Sequence, residues 1–584
     1  MRATRPLLFF ILLLSIVTHL SAQTRTPFYE PMSGKDQWVD SVLKKLNKKE
    51  KIAQMFFIRA HTDKGKAYED SIQTLIHNSR VGGLVFFQGG PLRQAVLTNS
   101  YQSVSLVPLL VAMDAEWGLS MRLDSTISYP YQMTLGAIQN NDLIYQMGKE
   151  IGKEFKMLGM HLNFAPVVDI NNNPDNPVIG YRSFGDNKYN VAAKGLAYMR
   201  GLQDEGILVS IKHFPGHGDT NVDSHQSLPV LNFTKERLDS LELYPFRELI
   251  KQGASGVMIA HMNIPALDPT KNLPSTLSQT IVTGLLKEEL GFKGLAITDA
   301  MEMKGVVKFF PDGEADVRAV IAGNDIIELS ENTKRAIKLV KKAVKTGRIT
   351  RERINQSVKK ILEAKYWAGL NNYHPINTIN LLKDLNSGEA LSLNQHLVDA
   401  SITVLHSDSL LKALDTKKRT AIISLGVTEL TKFQKDLKLK IPNSMLFLMS
   451  KIGSATDMNA MLQEVKKYDQ VIMAIHDYRK RPQSSLDYNT PLKIFIAELA
   501  QLNTISCVFA NPYTIAGLPG IEASKSVLVT YQNSDEAQRS VVKILTGQMP
   551  ATGKLPVTIN SFYKYGDGLD YFPEPKPVLG KISY

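Results

Sequence analysis

The sequence predicts an α/β protein: an N-terminal (β/α)8 barrel of the TIM type, then a smaller open α/β sheet domain. Three observations predict it. Eight short apolar, β-branched runs occur at 52–58, 81–87, 106–113, 162–169, 208–213, 256–262, 294–299 and 325–329. Helix-periodic stretches separate them, such as 142–158, 190–205, 238–252 and 278–289. A turn-rich segment then precedes a second, shorter alternation. An open doubly wound sheet would give a similar alternation to the first. A barrel makes the sharper demand, because its chemistry must sit just past the strand ends.

The elements follow in chain order. Residues 1–22 read as a signal peptide, with Arg2 and Arg5, an apolar run over 7–17 and a small-residue cleavage site at Ser21-Ala22. The run falls short of the roughly 20 residues that a membrane span needs. The protein is therefore expected to be exported, periplasmic or secreted, with no membrane span after cleavage. The barrel is placed at 30–370 and a linker at 371–392, where Gly369-Leu-Asn-Asn-Tyr-His-Pro begins a polar, turn-rich stretch. The C-terminal domain takes 393–584, with strands expected at 402–405, 420–425, 471–475, 505–510 and 526–531.

Composition narrows the function. The chain has 584 residues, 43% hydrophobic and 21% charged, which excludes wholesale disorder and fibrous repeats. A single cysteine, Cys507, excludes an internal disulfide framework and a multi-cysteine metal site; it reads as a buried, inert thiol. The net charge is +12, or +10 without the leader arginines. Lysine runs at 44–51, 341–345 and 417–418 are dispersed and lie in helix-like stretches. They read as solvated helix faces, so no nucleic-acid partner is expected. No Gly-x-Gly-x-x-Gly follows a strand and no phosphate loop is present, so no cofactor is expected.

Ionisable residues end the apolar runs: Asp114, Glu116, Asp169, Lys212, His213, His261, Asp299 and Glu328. Singly, each reads equally well as a cap or a satisfied core group. Together they point to one shared pocket. The densest polar segment, Lys212-His-Phe-Pro-Gly-His-Gly-Asp-Thr-Asn-Val-Asp-Ser-His225, begins at the end of the fifth run. Its Pro and Gly make it a loop over the barrel mouth. A metal site from His213, His217, Asp219, Asp223 and His225 is one reading, but the spacing gives no helical ligand pair and Lys212 repels a cation. A structural polar loop is a second reading. In the third, Asp223 accepts from His225, fixing its tautomer and raising its basicity for acid/base work. Asp299, just past an apolar run, is then a candidate nucleophile or, more simply, a helix N-cap.

The 212–225 segment resembles the signature of glycoside hydrolase family 3, in its β-N-acetylglucosaminidase branch. Asp114-Ala-Glu116 through Arg122, Asn163-Phe-Ala-Pro-Val-Val-Asp169, Ile179-Gly-Tyr-Arg-Ser-Phe-Gly185, Thr298-Asp299 and Gly553-Lys-Leu-Pro-Val-Thr-Ile559 also match that family's pattern. The resemblance implies a retaining mechanism with Asp299 as nucleophile and His225 as general acid/base, oriented by Asp223. It implies that Asp114, Arg122, Arg182, Lys212 and His213 hold the terminal sugar, with no metal. The implied substrate is an oligosaccharide or muropeptide. A β-glucosidase, a phosphorylase using phosphate in place of water, a substrate-assisted route through the acetamido group and a non-catalytic carbohydrate-binding protein are the alternatives. The family's Glu-Gly-Gly is Glu116-Trp117-Gly118 here, and Trp117 can stack on a sugar or merely pack. The oligomeric state is open.

Overall fold

The computed structural model describes residues 25–222, 227–311, 313–408, 411 and 414–573. The leader expected over 1–22 lies outside the described residues, as do Asp223 and His225. Every one of the eight apolar runs contributes strand. β1 (Phe56–Ala60), β2 (Gly83–Phe86), β3 (Leu110–Met113) and β4 (Leu162–Asn163) pair side by side, all parallel. The fifth run divides into β5 (Leu208–Val209), which pairs with β4, and β6 (Ile211–Phe214), which pairs with β7 (Gly256–Ile259). β7 pairs with β8 (Leu295–Thr298), and β9 (Ile327–Glu328) pairs with β1. The ring closes where Ile297 bridges Ile326. β2, β3, β7 and β8 are buried along their whole length. One face of each fills the barrel and the other meets the helices, which is why these strands read as unbroken apolar runs.

Two strands differ from the pattern in the sequence. The first run opens in a helix, Lys48–Gln54, capped by Asn47, and Glu50 completes the capping box. The fourth run is strand only over Leu162–Asn163, because Pro166 lacks the N–H that would extend the ladder.

The outer helices carry their own start signals. Asn140 accepts from Asp142 N to open Asn141–Met157, and Asn187 accepts from Tyr189 N and Asn190 N to open Lys188–Asp204. Ile144, Met147, Ile151 and Phe155 form the buried stripe of the first of these. The two helices touch at Gly148 and Gly201. A Cβ on Gly201 would stand 2.3 Å from the Tyr145 carbonyl oxygen, so only glycine permits this approach.

Behind that stripe the Tyr129 hydroxyl donates to Glu154 Oε1 at 2.8 Å, and burial pushes the Glu154 carboxyl up to about 8. The folded protein thus keeps a proton that the unfolded chain releases above its ordinary value of 4.5. Stability from this group falls as pH rises from there toward 8, by on the order of 3 kcal/mol at pH 7. Glu154→Gln keeps an acceptor for Tyr129 and removes the penalty. The expected result is a melting temperature raised by several degrees at about pH 7.5 and unchanged near pH 4, read by calorimetry. An unchanged or lowered value at the higher pH would contradict the buried-acid reading.

The C-terminal sheet runs β10 (Thr403–Ser407), β15 (Ser526–Val529), β14 (Thr504–Phe509), β13 (Gln470–His476), β11 (Thr420–Leu425), β12 (Ser444–Met449) in spatial order. Only the β10–β15 pair is antiparallel. β12 is an edge strand outside the expected set: Met445-Leu-Phe-Leu-Met449 is an unbroken apolar run, but Met445 is 53% exposed and the middle of the strand is only half-buried. Cys507 lies buried in β14. The turn-rich stretch at 371–392 carries the short helix Leu381–Leu385 and the start of Gly388–Ser401, which packs on Asn141–Met157.

The second domain braces the barrel beside its mouth. Gln532 Oε1 accepts from Tyr131 N at 3.0 Å and from Thr134 Oγ1 at 2.8 Å. Asn171 donates to the Tyr513 hydroxyl at 3.0 Å, two residues past Asp169. At Gly185 a Cβ would stand 2.1 Å from the Pro556 carbonyl oxygen, so the segment 553–559 lies directly against the barrel loop.

Candidate active site

Strand ends place the site. Asp114 and Glu116 follow β3, Asp169 follows β4, Lys212 and His213 lie within β6, Asp299 follows β8, and Glu328 ends β9. All are at the C-terminal face of the barrel, where loops can approach a ligand.

A charged network joins five of these. The Lys212 ammonium is buried and reaches Asp114 Oδ1 and Glu116 Oε1, each at 2.8 Å. Arg122 Nη2 donates to Asp114 Oδ2 at 2.6 Å. Arg182 forks onto Glu116, with Nε to Oε2 at 2.9 Å and Nη2 to Oε1 at 2.6 Å. Arg182 Nη2 also donates to His213 Nε2 at 3.3 Å, so His213 carries its proton on Nδ1 and donates it to Asp169 Oδ2 at 2.7 Å. Asp169 further accepts the backbone N–H of His213 at 3.2 Å and of His217 at 2.7 Å. It therefore fixes both the ring and the loop that bears it.

The charges settle one another. Burial pushes the Asp114 carboxyl up, but Lys212 and Arg122 outweigh it and hold the group well below the usual carboxylate range. Burial likewise opposes ionisation of Glu116, and Arg182 with Lys212 reverses this, to about 2. Burial works against the Lys212 charge, while Asp114 and Glu116 together raise its pKa above the ordinary value. These groups stay ionised across the neutral range and present charged donors and acceptors in fixed directions. That arrangement suits a polyhydroxylated ring.

Asp299 sits at the tip of β8, its backbone N–H bonded to Ile259 O at 3.0 Å and its Oδ1 accepting from Ala300 N at 2.7 Å. His261, buried on the neighbouring strand's extension, bonds Ala300 O through Nε2 at 3.1 Å and Thr276 Oγ1 through Nδ1 at 2.7 Å. His261 thereby anchors the turn that carries Asp299. Two groups tie this tip to the charged network. Glu328 is buried, and burial, then Asp114 and Asp299, push its carboxyl well above the usual range. His217 is buried with Nδ1 on Thr220 Oγ1 at 2.8 Å; burial, then His213, lowers it to about 4, while Asp299 opposes. Glu328, its pKa raised, and His217, a neutral imidazole, therefore couple Asp299 electrostatically to the network.

Of the sequence-predicted residues, the structure brings Asp114, Arg122, Arg182, Lys212 and His213 into one connected network. Asp299 lies beside it, and Asp223 and His225 lie outside the described residues. Glu116 and Asp169 are the positioning residues that sequence reasoning named as strand ends and within family-like segments, but without a role of their own. Asp169 and His213 are 44 residues apart, and no local spacing couples them. Trp117 packs: its ring meets Tyr131 edge-on at 4.9 Å and Tyr181 at 6.1 Å. The Tyr131 hydroxyl in turn donates to Lys480 O at 3.0 Å, so this half-buried aromatic cluster joins the mouth to the second domain.

The comparisons agree with the geometry. The model of the glycosyl hydrolase family 3 N-terminal domain matches residues 48–364. Beta-hexosaminidase A of Pseudoalteromonas piscicida is 29% identical over 553 residues, covering 84% of this chain and 91% of that protein. A family 3 beta-N-acetylglucosaminidase structure from Paenibacillus sp. str. FPU-7 is 33% identical, with a TM-score of 0.74, covering 88% of this chain and 99% of that one. A beta-glucoside phosphorylase, BglX, shares the fold at 22% identity and a TM-score of 0.78, covering 92% of this chain and 98% of that one. With strands, charged network and sequence in accord, the chain belongs to glycosyl hydrolase family 3 and is a glycosidase.

Proposed function

We propose that the chain is an exported, exo-acting, retaining β-N-acetylglucosaminidase that releases terminal GlcNAc from cell-wall fragments or chitin-type oligosaccharides. The observation that carries this is the Asp114–Lys212–Glu116–Arg182–His213–Asp169 network, at the same C-terminal face of the barrel as Asp299. It supports a pocket for one sugar, with fixed charges for its hydroxyls and a carboxylate at the anomeric side. The 33% identity to the Paenibacillus enzyme supports the choice of sugar.

In the proposed reaction Asp299 attacks the anomeric carbon while His225, oriented by Asp223, gives its proton to the departing oxygen. This leaves a glycosyl ester on Asp299 and a neutral imidazole. That imidazole takes a proton from water, whose oxygen attacks the same carbon, and Asp299 departs as carboxylate. Two displacements retain configuration.

The test is a panel of 4-nitrophenyl β-glycosides with and without phosphate. The N-acetylglucosaminide should be cleaved with a kcat/KM about 100-fold or more above that of the glucoside. Phosphate should leave the product as free sugar. Preference for the glucoside, or accumulation of sugar 1-phosphate, would replace the reading with one of the alternatives named above.

A further inference from the structure

The lysine runs at 44–51 and 341–345 look like separate solvated faces in the sequence, but the fold brings them together. The helix Lys48–Gln54, the end of Thr333–Lys345 and the start of Arg351–Trp367 enclose a groove of about 680 Å³. Lys48, Lys51, Lys341, Lys345 and Arg351 line it, and no acidic side chain does. Lys51 donates to Asn355 Oδ1 at 3.2 Å. Among the described residues none of the five cations has a carboxylate within 4 Å. Its floor is apolar, formed by Leu46, Ile52, Val344 and Ile354. The groove precedes β1 and follows the helix that descends from β9, so it lies toward the strands' N-terminal ends, opposite the active site.

Five like charges around one concavity, none of them in an ion pair among the described residues, focus a positive potential there. We propose that this groove binds an anionic glycan, a chain of sugars bearing carboxylate, sulfate or phosphate groups. Such a chain matches both surfaces: its charges meet the rim and the apolar faces of its rings cover the floor. No aromatic side chain lines the groove, which removes the stacking that single-stranded nucleic acid uses. Its concavity favours a chain over a flat bilayer. Bound there, an acidic polymer would hold the enzyme in place while the opposite mouth meets neutral chain ends, raising their effective concentration.

The probe is a heparin-derived octasaccharide, titrated by calorimetry at about 50 mM salt and again at higher salt, where binding should weaken. The double variant Lys48→Glu/Lys345→Glu should bind at least about tenfold more weakly, with unchanged melting temperature and unchanged turnover of an aryl glycoside. A control, Lys435→Glu/Lys440→Glu, makes the same change of net charge on the second domain and should bind within about twofold of the parent. Equal losses in both doubles, no octasaccharide binding by the parent, or capture only by phosphatidylglycerol vesicles or single-stranded DNA would each overturn the proposal. The readout is binding, so it stands or falls separately from the assignment of the catalytic site.

Discussion

Replacing Asp299 by Asn lowers kcat by on the order of 10⁴-fold and leaves KM within a few-fold of the parent value. The amide has the carboxylate's shape and keeps an acceptor for Ala300 N–H, which now bonds Asp299 Oδ1 at 2.7 Å. The turn held by His261 should therefore stay in place, and only nucleophilicity is lost. Because the sugar is proposed to be gripped by the network around Lys212, binding should survive. Near-parent turnover in this variant would remove Asp299 from the reaction.

Lys212→Met produces the second large effect, on both folding and binding. One ammonium satisfies two buried carboxylates, each 2.8 Å away. Removing it leaves Asp114 with Arg122 and Glu116 with Arg182, and the two acids facing each other across an apolar side chain. Breaking a buried pair in this way costs about 3–5 kcal/mol. The pH dependence follows from the depressed carboxyls. The Glu116 pKa falls from 4.5 to about 2 in the folded protein, against burial, through Arg182 and Lys212. Its stabilisation is complete above the unfolded value and is lost as pH falls through the folded one. Without Lys212 the depression shrinks, so acid destabilisation should begin at higher pH. Melting curves between about pH 3 and 7 check this, and KM for the aryl glycoside should rise by about 100-fold. A variant with the parent's melting profile and KM would mean that Lys212 neither supports the network nor meets substrate.

The barrel strands are legible because each is short, buried on both faces and flanked by amphipathic helix. What the sequence hides has local causes. Pro166 ends β4 after two residues, although the apolar run continues to Val168. The Asn47…Glu50 capping box already marks the helix that occupies the start of the first run, and apolar periodicity alone overlooks it. β12 does carry a continuous apolar run, Met445–Met449, which the expected strands pass over; what the run cannot show is that it forms a half-exposed edge. At the site, Lys212 and His213 stand out as part of a dense motif, whereas the partners that fix them, Glu116 and Asp169, come from other strands. Only the closed ring sets those partners beside each other. Glu328 is similar: next to Leu329 and Ser330 it reads as a strand end, and its raised pKa arises from burial and then from Asp114 and Asp299. The lysine runs lie about 300 residues apart in sequence, and only the return of the chain past β9 makes them one surface.

The most direct test of the central claim is to trap the sugar. A 5-fluoro N-acetylglucosaminyl fluoride slows both displacements and lets the glycosyl ester accumulate. Mass spectrometry of the digested protein should then find the added sugar mass on the peptide containing Asp299, lost again when the free enzyme turns over. Inactivation with no adduct there, or release of an oxazoline formed by the substrate's own acetamido group, would contradict a covalent role for Asp299.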